Sequence, residues 1–283
     1  MVETSGGTSG SPHYMMGHSE PELRRLRLQA SIMRPATERL LREAGLAPGM
    51  RVLDIGCGIG DVAFLAAEIV GPAGVVVGID RSGGALATAR ERARAAGLGH
   101  VKFVEGSAES YEAPEPFDLA VGRLVLIHQA DPAALIRWAT GQVRPGGAVA
   151  FNEFCLHDQC FKSRPAIPLW RQCDDWLVAA FKHGSPHTDA GGRLIELFAL
   201  AGLPQPQLFC ESAIGGGADS PLHAWCAETI GTVLPGLLKL GAATEEEVGL
   251  ATLEERLREA TVASRSQIVG PPQYCAWARV SQG

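Results

Sequence analysis

The feature that most constrains the fold is a strict alternation of short apolar runs and helical segments over roughly 100 residues. The runs are rich in β-branched residues, and their lengths suit buried strands. They are RVLDIG at 51–56, VVVGID at 75–80, VKFVEG at 101–106, FDLAVGRLVL at 117–126 and AVAFNEF at 148–154. Because parallel strands need helical crossovers, this alternation predicts an α/β fold with a mostly parallel sheet and helices on both faces.

The regular alternation does not extend to either end of the chain. PQLFCES at 206–212 and QYCAWARV at 273–280 predict two further strands, which brings the sheet to seven. Pro35 interrupts the N-terminal helical pattern and predicts two helices there. We divide the chain into a flexible N-terminus at 1–19, an N-terminal helical lid at 20–44, a ligand-binding core at 45–154, cap helices at 155–204, and the last strands at 205–283 with a helical cap insertion over 220–266.

Three glycines, Gly56, Gly58 and Gly60, follow the first predicted strand. Ligands of open parallel sheets bind beyond the carboxyl ends of the strands, and glycine lets a ligand approach the backbone closely. A dinucleotide fingerprint, GxGxxG, would place its third glycine at position 61, which is Asp61. Asp54 would repel a pyrophosphate but suits an amino group. Asp80, which ends the second strand, suits a ribose diol and does not by itself separate a dinucleotide from another nucleoside.

Composition argues against several partner classes. The net charge of −6 and the absence of a basic block argue against nucleic acid, and no apolar run is long enough to predict a membrane span. Seven cysteines without CxxC spacing are typical of reduced thiols in a cytoplasmic protein. His183 and His187 are separated by a helix-breaking GSP, so we predict no metal site. The sequence does not decide whether the chain forms a homodimer.

Four motifs in order resemble the class I S-adenosylmethionine (SAM)-dependent methyltransferases. VLDIGCGIGD with VVGIDRS resembles motifs I and II, and VKFVEGSAES resembles the segment after the third strand. FDLAVGRLVLIHQADP followed by VRPGGAVAF resembles the fourth strand, the next helix and the fifth strand. The resemblance covers 45–155 and extends to YMMGHSEPELRRLRLQA and CAWAR, which look like a bacterial small-molecule subgroup.

This resemblance implies a Rossmann-like fold, SAM as cofactor, S-adenosylhomocysteine (SAH) as product, and methyl transfer to a small organic molecule in specialised metabolism. It implies that Gly56, Cys57 and Gly58 pack against the methionine part and that Asp80 takes the ribose hydroxyls. Ser107 stands where many relatives have Asp. The positions that the resemblance assigns to cofactor contact are Tyr14, Gln29, Asp54, Gly56, Cys57, Gly58, Gly60, Asp80, Arg81, Ser107, Ala108, Gly122, Arg123 and Leu124.

Three residues are candidates for catalysis. A methyltransferase must align the acceptor, exclude water and, for some substrates, remove a proton. Glu153 ends the fifth strand and is a candidate general base, with a solvated or lid-paired acid as the alternative. His128 is a second candidate base or a structural partner of its turn, and His157 is a third residue that could face the pocket. A true base at Glu153 would favour an oxygen or carbon acceptor.

Other functions remain compatible with these residues. A SAM-shaped pocket can serve a different reaction, such as cyclisation, or a non-catalytic binding module. An NAD(P)-dependent oxidoreductase is disfavoured by Asp54 and Asp61. Aromatic side chains in the cap, among them Phe181 and Trp225, are candidates for core packing or for an apolar pocket wall.

Overall fold

The computed structural model describes residues 20–108, 110–157 and 159–281, so the predicted contact of Tyr14 lies outside the described residues. The main sheet has seven strands in the order β3-β2-β1-β4-β5-β10-β7, and β10 runs antiparallel to both of its neighbours. Its strands are β1 (Arg51–Ile55), β2 (Val75–Asp80), β3 (Val101–Glu105), β4 (Phe117–Arg123), β5 (Val143–Phe154), β7 (Gln207–Glu211) and β10 (Gln273–Arg279). The predicted seven-stranded, mostly parallel α/β fold is confirmed.

The helices of the described residues pack on the two faces of this sheet or belong to the cap. They are α1 (Glu20–Glu43), α2 (Asp61–Val70), α3 (Gly83–Ala95), α4 (Pro132–Gly141), α5 (Pro168–Gly184), α6 (Leu194–Leu200), α7 (Pro221–Leu240), α8 (Glu245–Val248) and α9 (Leu250–Ala263). Val52 of β1 packs in a core with α1, α2 and α3, whereas the next residue, Leu53, packs in a core with α4 and α6. The alternation of side chains along each strand therefore supplies two apolar layers.

The N-terminal helical segment is one helix, and the prediction of two helices was wrong. Pro35 lies inside α1 and removes one backbone hydrogen bond. Met33 and Leu40, on either side of the proline, are both fully buried. Burial of the apolar face of α1 on both sides of Pro35 outweighs the local penalty, because tertiary packing supplies most helix stability.

A third apolar core joins the cap helices. α7 packs against α1, α5 and α9, and the buried side chains between them include Trp170, Trp225 and Leu253. A second, three-stranded sheet borders this cap, made of β6 (Lys162–Arg164), β8 (Ile214–Gly215) and β9 (Gln267–Val269). The Gly-rich stretch at 214–219 begins with β8, which pairs with β9.

The strand order places a topological switch between β1 and β4. From β1 the chain proceeds to β2 and β3 on one side, and β4 and β5 lie on the other. Loops that leave the carboxyl ends of β1 and β4 diverge there and open a crevice. The cap helices and α1 close over this crevice.

Candidate active site

A cavity of about 790 Å³ occupies the switch point. Its walls come from the loops after β1, β2, β3 and β4, from α1, and from the cap. The predicted site residues that line it are Gln29, Asp54, Gly56, Cys57, Gly58, Asp80, Arg81, Ser107, Ala108, Arg123, Leu124 and His128. Residues scattered over 100 positions of sequence are thus brought to one cavity.

The glycine loop after β1 forms the floor of this cavity. Gly58 has a φ of 53°, and a side chain added there would meet no atom within 4 Å. The Gly58 N–H donates a 2.8 Å hydrogen bond to Oδ2 of Asp80. The loop therefore presents bare backbone to the cavity.

Asp54 is a buried carboxylate without full hydrogen bonding. Its side chain is 1% exposed, and no described residue supplies a partner for its Oδ2. Burial raises the pKa of Asp54 to about 8, against the opposing charge of Arg123 and a hydrogen bond from the Ala63 backbone. An acceptor oxygen at the cavity that lacks a donor matches a ligand with an N–H or ammonium group.

Asp80 ends β2 beside the glycine loop. Backbone N–H groups hold both of its oxygens, with Gly58 N on Oδ2 and Ser82 N on Oδ1, each at 2.8 Å. Arg81, Ser107 and Ala108 line the same part of the cavity. Fixed carboxylate oxygens at a strand end suit two neighbouring hydroxyls of a ribose.

The opposite part of the cavity is apolar and comes from the cap. We call it the apolar region; its lining residues are Phe154, Leu156, Cys160, Phe161, Leu177, Phe181, Trp225 and Pro271. The Phe161 and Trp225 rings meet edge-on, with centroids 5.5 Å apart. Thr229 adds a hydroxyl whose hydrogen is donated to the Trp225 carbonyl at 2.6 Å. None of these described lining residues is charged.

The segment from Leu124 to Gln129, which we call the β4–α4 turn, touches both parts, because Leu124 packs against the cap core and Val125 lies against Gly56 of the glycine loop. Its residues 126–128 form a short 3₁₀ helix, and His128 lines the cavity. Burial and the nearby Arg81 charge lower the pKa of His128 to about 4. His128 is therefore neutral at pH 7, and an imidazole nitrogen can accept a hydrogen bond.

Four predicted site residues do not line the cavity. Glu153 is fully buried, and its Oε1 accepts hydrogen bonds from the Val125 and Leu126 N–H groups. A Cβ at Gly122 would lie 2.7 Å from Phe151, so Gly122 serves packing. Gly60, with a φ of 89°, caps α2, and His157 is exposed.

Three lining residues, Arg25, Leu177 and Thr229, were not predicted from the sequence. Each lies four residues from a residue that was singled out, namely Gln29 in α1, Phe181 in α5 and Trp225 in α7. Residues at that spacing share one helix face. The spacing was a usable signal, but only the tertiary packing shows that the three faces converge.

Two further observations concern metal ions and membranes. Among residues 20–108, 110–157 and 159–281, no group of three or more His, Cys, Asp or Glu side chains could hold a metal ion. Within the same residues, the helices are too short or too polar to cross a bilayer.

Comparisons with known proteins agree with this geometry. Residues 46–186 match a family model described as a methyltransferase domain. The 2-phytyl-1,4-naphtoquinone methyltransferase of Synechococcus elongatus is 36% identical over 183 residues, which are 62% of this chain and 74% of that enzyme. Aklanonic acid methyltransferase DauC of Streptomyces sp. (strain C5) is 36% identical over 127 residues, 44% of this chain and 58% of that enzyme.

The fold also matches solved structures. The crystal structure of the [4+2]-cyclase SpnF aligns with a TM-score of 0.52 at 22% identity, covering 88% of this chain and 82% of that one. At this identity the likeness shows the fold alone.

Proposed function

The chain belongs to the class I SAM-dependent methyltransferases, and on that premise we propose that its acceptor is a neutral, largely apolar aromatic alcohol or hydroquinone, methylated on oxygen or carbon. The observation that carries this proposal is the uncharged aromatic wall of the apolar region, continuous with the glycine-loop part of the cavity. Pockets for such ligands are mostly apolar, with a few polar groups that fix orientation.

The glycine-loop part of the cavity fits the cofactor. The open space at Gly58 admits a ligand against the backbone, and the unpartnered Oδ2 of Asp54 suits the ammonium group of SAM. Asp80 would hold the ribose hydroxyls, with Arg81, Ser107 and Ala108 around the adenine. When bound, SAM supplies a sulfonium-activated methyl group, whose C–S electron pair stays on sulfur as the acceptor oxygen or carbon forms the new bond and loses a proton.

The charges around the cavity favour a neutral acceptor over a carboxylic acid. Arg25 lines the cavity, but its guanidinium is tied to both oxygens of the buried Glu22, at 2.6 and 2.8 Å, and to Gln29 at 2.9 Å. Burial lowers the pKa of Arg123, and the nearby Asp61, with a smaller effect from Asp54, opposes that lowering. A carboxylate in the apolar region would therefore meet no uncompensated cation from its walls.

His128 is the group we propose for the acceptor proton. Its neutral imidazole lies in the β4–α4 turn and lines the cavity, near Arg81. A pKa near 4 makes it a weak base, which matches an acidic phenol or hydroquinone better than an aliphatic alcohol. Gln129, in the same turn, lines the cavity as a second polar group.

A matched pair of probes tests this proposal. We expect reduced 2-methyl-1,4-naphthoquinone to gain one methyl group from SAM, detected by mass spectrometry, and 1,4-dihydroxy-2-naphthoic acid to react more slowly. Both probes contain the dihydroxynaphthalene ring. The first carries a methyl group where the second carries a carboxylate. Preference for the acid would contradict the neutral-acceptor proposal, and transfer to neither probe would contradict the aromatic class.

Two further predictions belong with this function. We propose a cytoplasmic location, supported by the reduced state of all seven cysteines, and a homodimer. Fractionation and sedimentation of the purified protein test these two points separately.

A further inference from the structure

The β4–α4 turn needs support from outside its own sequence. Leu124 has a φ of 55°, a left-handed conformation that is unfavourable for a residue with a side chain. The 3₁₀ helix that follows begins after Val125, whose side chain supplies no cap. Yet this turn lines both parts of the cavity, through Leu124, Val125, Ile127, His128 and Gln129.

The support comes from the end of β5. The Asn152 carbonyl accepts the Leu124 N–H at 2.9 Å. The next residue, Glu153, accepts the N–H groups of Val125 and Leu126 on one oxygen, Oε1, each at 2.8 Å. A side chain from a neighbouring strand thus takes the place of the missing local cap.

The surroundings of Glu153 do not suit a base that meets substrate. The residue is fully buried and is not among the cavity-lining residues, and Oε2 has no hydrogen-bond partner in the described part of the chain. Burial raises the pKa of Glu153 to about 8, while hydrogen bonds from the backbone of residues 125–127 oppose that rise. The hydrogen bonds of its carboxyl group go to the backbone of the β4–α4 turn.

We propose that Glu153 is a positioning residue for methyl transfer, acting through the β4–α4 turn to hold His128 and Leu124 at the junction of the cofactor and acceptor parts of the cavity. The expected effect of Glu153 on methyl transfer rests on the proposed function. The expected effect of Glu153 on the conformation of the turn does not depend on which acceptor the protein uses.

Two conservative variants separate the effect of side-chain length from the effect of charge. Glu153→Gln keeps an oxygen at the position of Oε1 but removes the ionisable group. Glu153→Asp keeps the carboxylate but withdraws it by one methylene from the Val125 and Leu126 N–H groups. The measurements are SAH affinity by calorimetry, amide hydrogen exchange of residues 125–127, and the pH profile of kcat and KM with reduced 2-methyl-1,4-naphthoquinone.

We expect Glu153→Gln to bind SAH normally, keep kcat within about threefold of wild type because the acceptor oxygen remains, and retain the wild-type pH profile. We expect Glu153→Asp to exchange the amides of residues 125–127 faster and to lose roughly 10- to 100-fold in kcat, since small misplacements are costly to alignment.

Other patterns overturn the proposal. Loss of transfer in Glu153→Gln, with one limb of the pH profile removed, would make the carboxylate a proton acceptor. Wild-type exchange rates in Glu153→Asp would show that the turn does not depend on Glu153. If the wild type methylates neither probe, the proposed acceptor class fails, while SAH affinity and amide exchange still decide the role of Glu153.

Discussion

Replacing Asp54 with Asn should stabilise the ligand-free protein and weaken cofactor binding. Asp54 is 1% exposed, and burial raises its pKa from 3.8 to about 8. Because the folded pKa lies above the unfolded one, the contribution of this group to stability is complete below about pH 4 and is lost as the pH rises to about 8. At roughly 1.36 kcal/mol per pKa unit, the loss between pH 6.5 and pH 8 is about 2 kcal/mol.

Asn stays neutral, so Asp54→Asn should lack this part of the pH dependence. Arg123, Asp61, Asp80 and the Ala63 N–H are the groups that act on Asp54, and the substitution leaves all four in place. Urea unfolding without ligand at pH 6.5 and pH 8 measures the difference in the free energy of unfolding. Glu91→Gln, at an exposed position of α3, is the control and should keep the wild-type pH dependence.

The same variant should bind SAH about 10- to 100-fold more weakly, since a hydrogen bond to a charged partner contributes roughly 1.5–3 kcal/mol. Calorimetric titration at pH 8 gives this number. Equal pH dependence of unfolding in wild type and Asp54→Asn would refute the assignment of a buried, neutral Asp54. Unchanged SAH affinity would refute its contact with the ammonium group.

Three further predictions test separate parts of the structure. Gly122→Ala should cost about 1–3 kcal/mol of unfolding free energy, because its Cβ would lie 2.7 Å from Phe151 and from Val125. The control, Gly141→Ala, has open space at its Cβ and should stabilise α4 by about 0.5–1 kcal/mol. Equal effects of the two variants in urea unfolding would refute the packing role of Gly122. Asp80→Ala should weaken SAH binding at least about 10-fold, by loss of hydrogen bonds to the ribose, and an unchanged calorimetric Kd would exclude that contact. Trp225→Leu should raise KM for reduced 2-methyl-1,4-naphthoquinone while SAH affinity stays constant, and the opposite pattern would move the acceptor out of the apolar region.

The part of the cavity around the glycine loop was predictable from sequence because its signals are local. A glycine loop between a strand and a helix has few possible conformations, and the carboxyl ends of parallel strands meet at one edge. Asp54, Gly58 and Asp80 therefore fall at the cavity as predicted. The central strands β1, β2, β4 and β5 follow from continuous apolar runs, which burial on both faces requires.

The apolar region of the cavity and the contacts of Glu153 were decided by tertiary structure. Sequence placed Glu153 at the end of β5 but could not show that its carboxylate turns to the backbone of Val125 and Leu126, since those contacts join segments 27 and 28 residues apart. Pro35 predicted a helix break, but burial on both sides of it keeps α1 whole. Local sequence determined the strands of the main sheet and the glycine loop after β1. Which helix faces converge on the cavity depends on long-range packing, whose free energy no single segment of the chain contains.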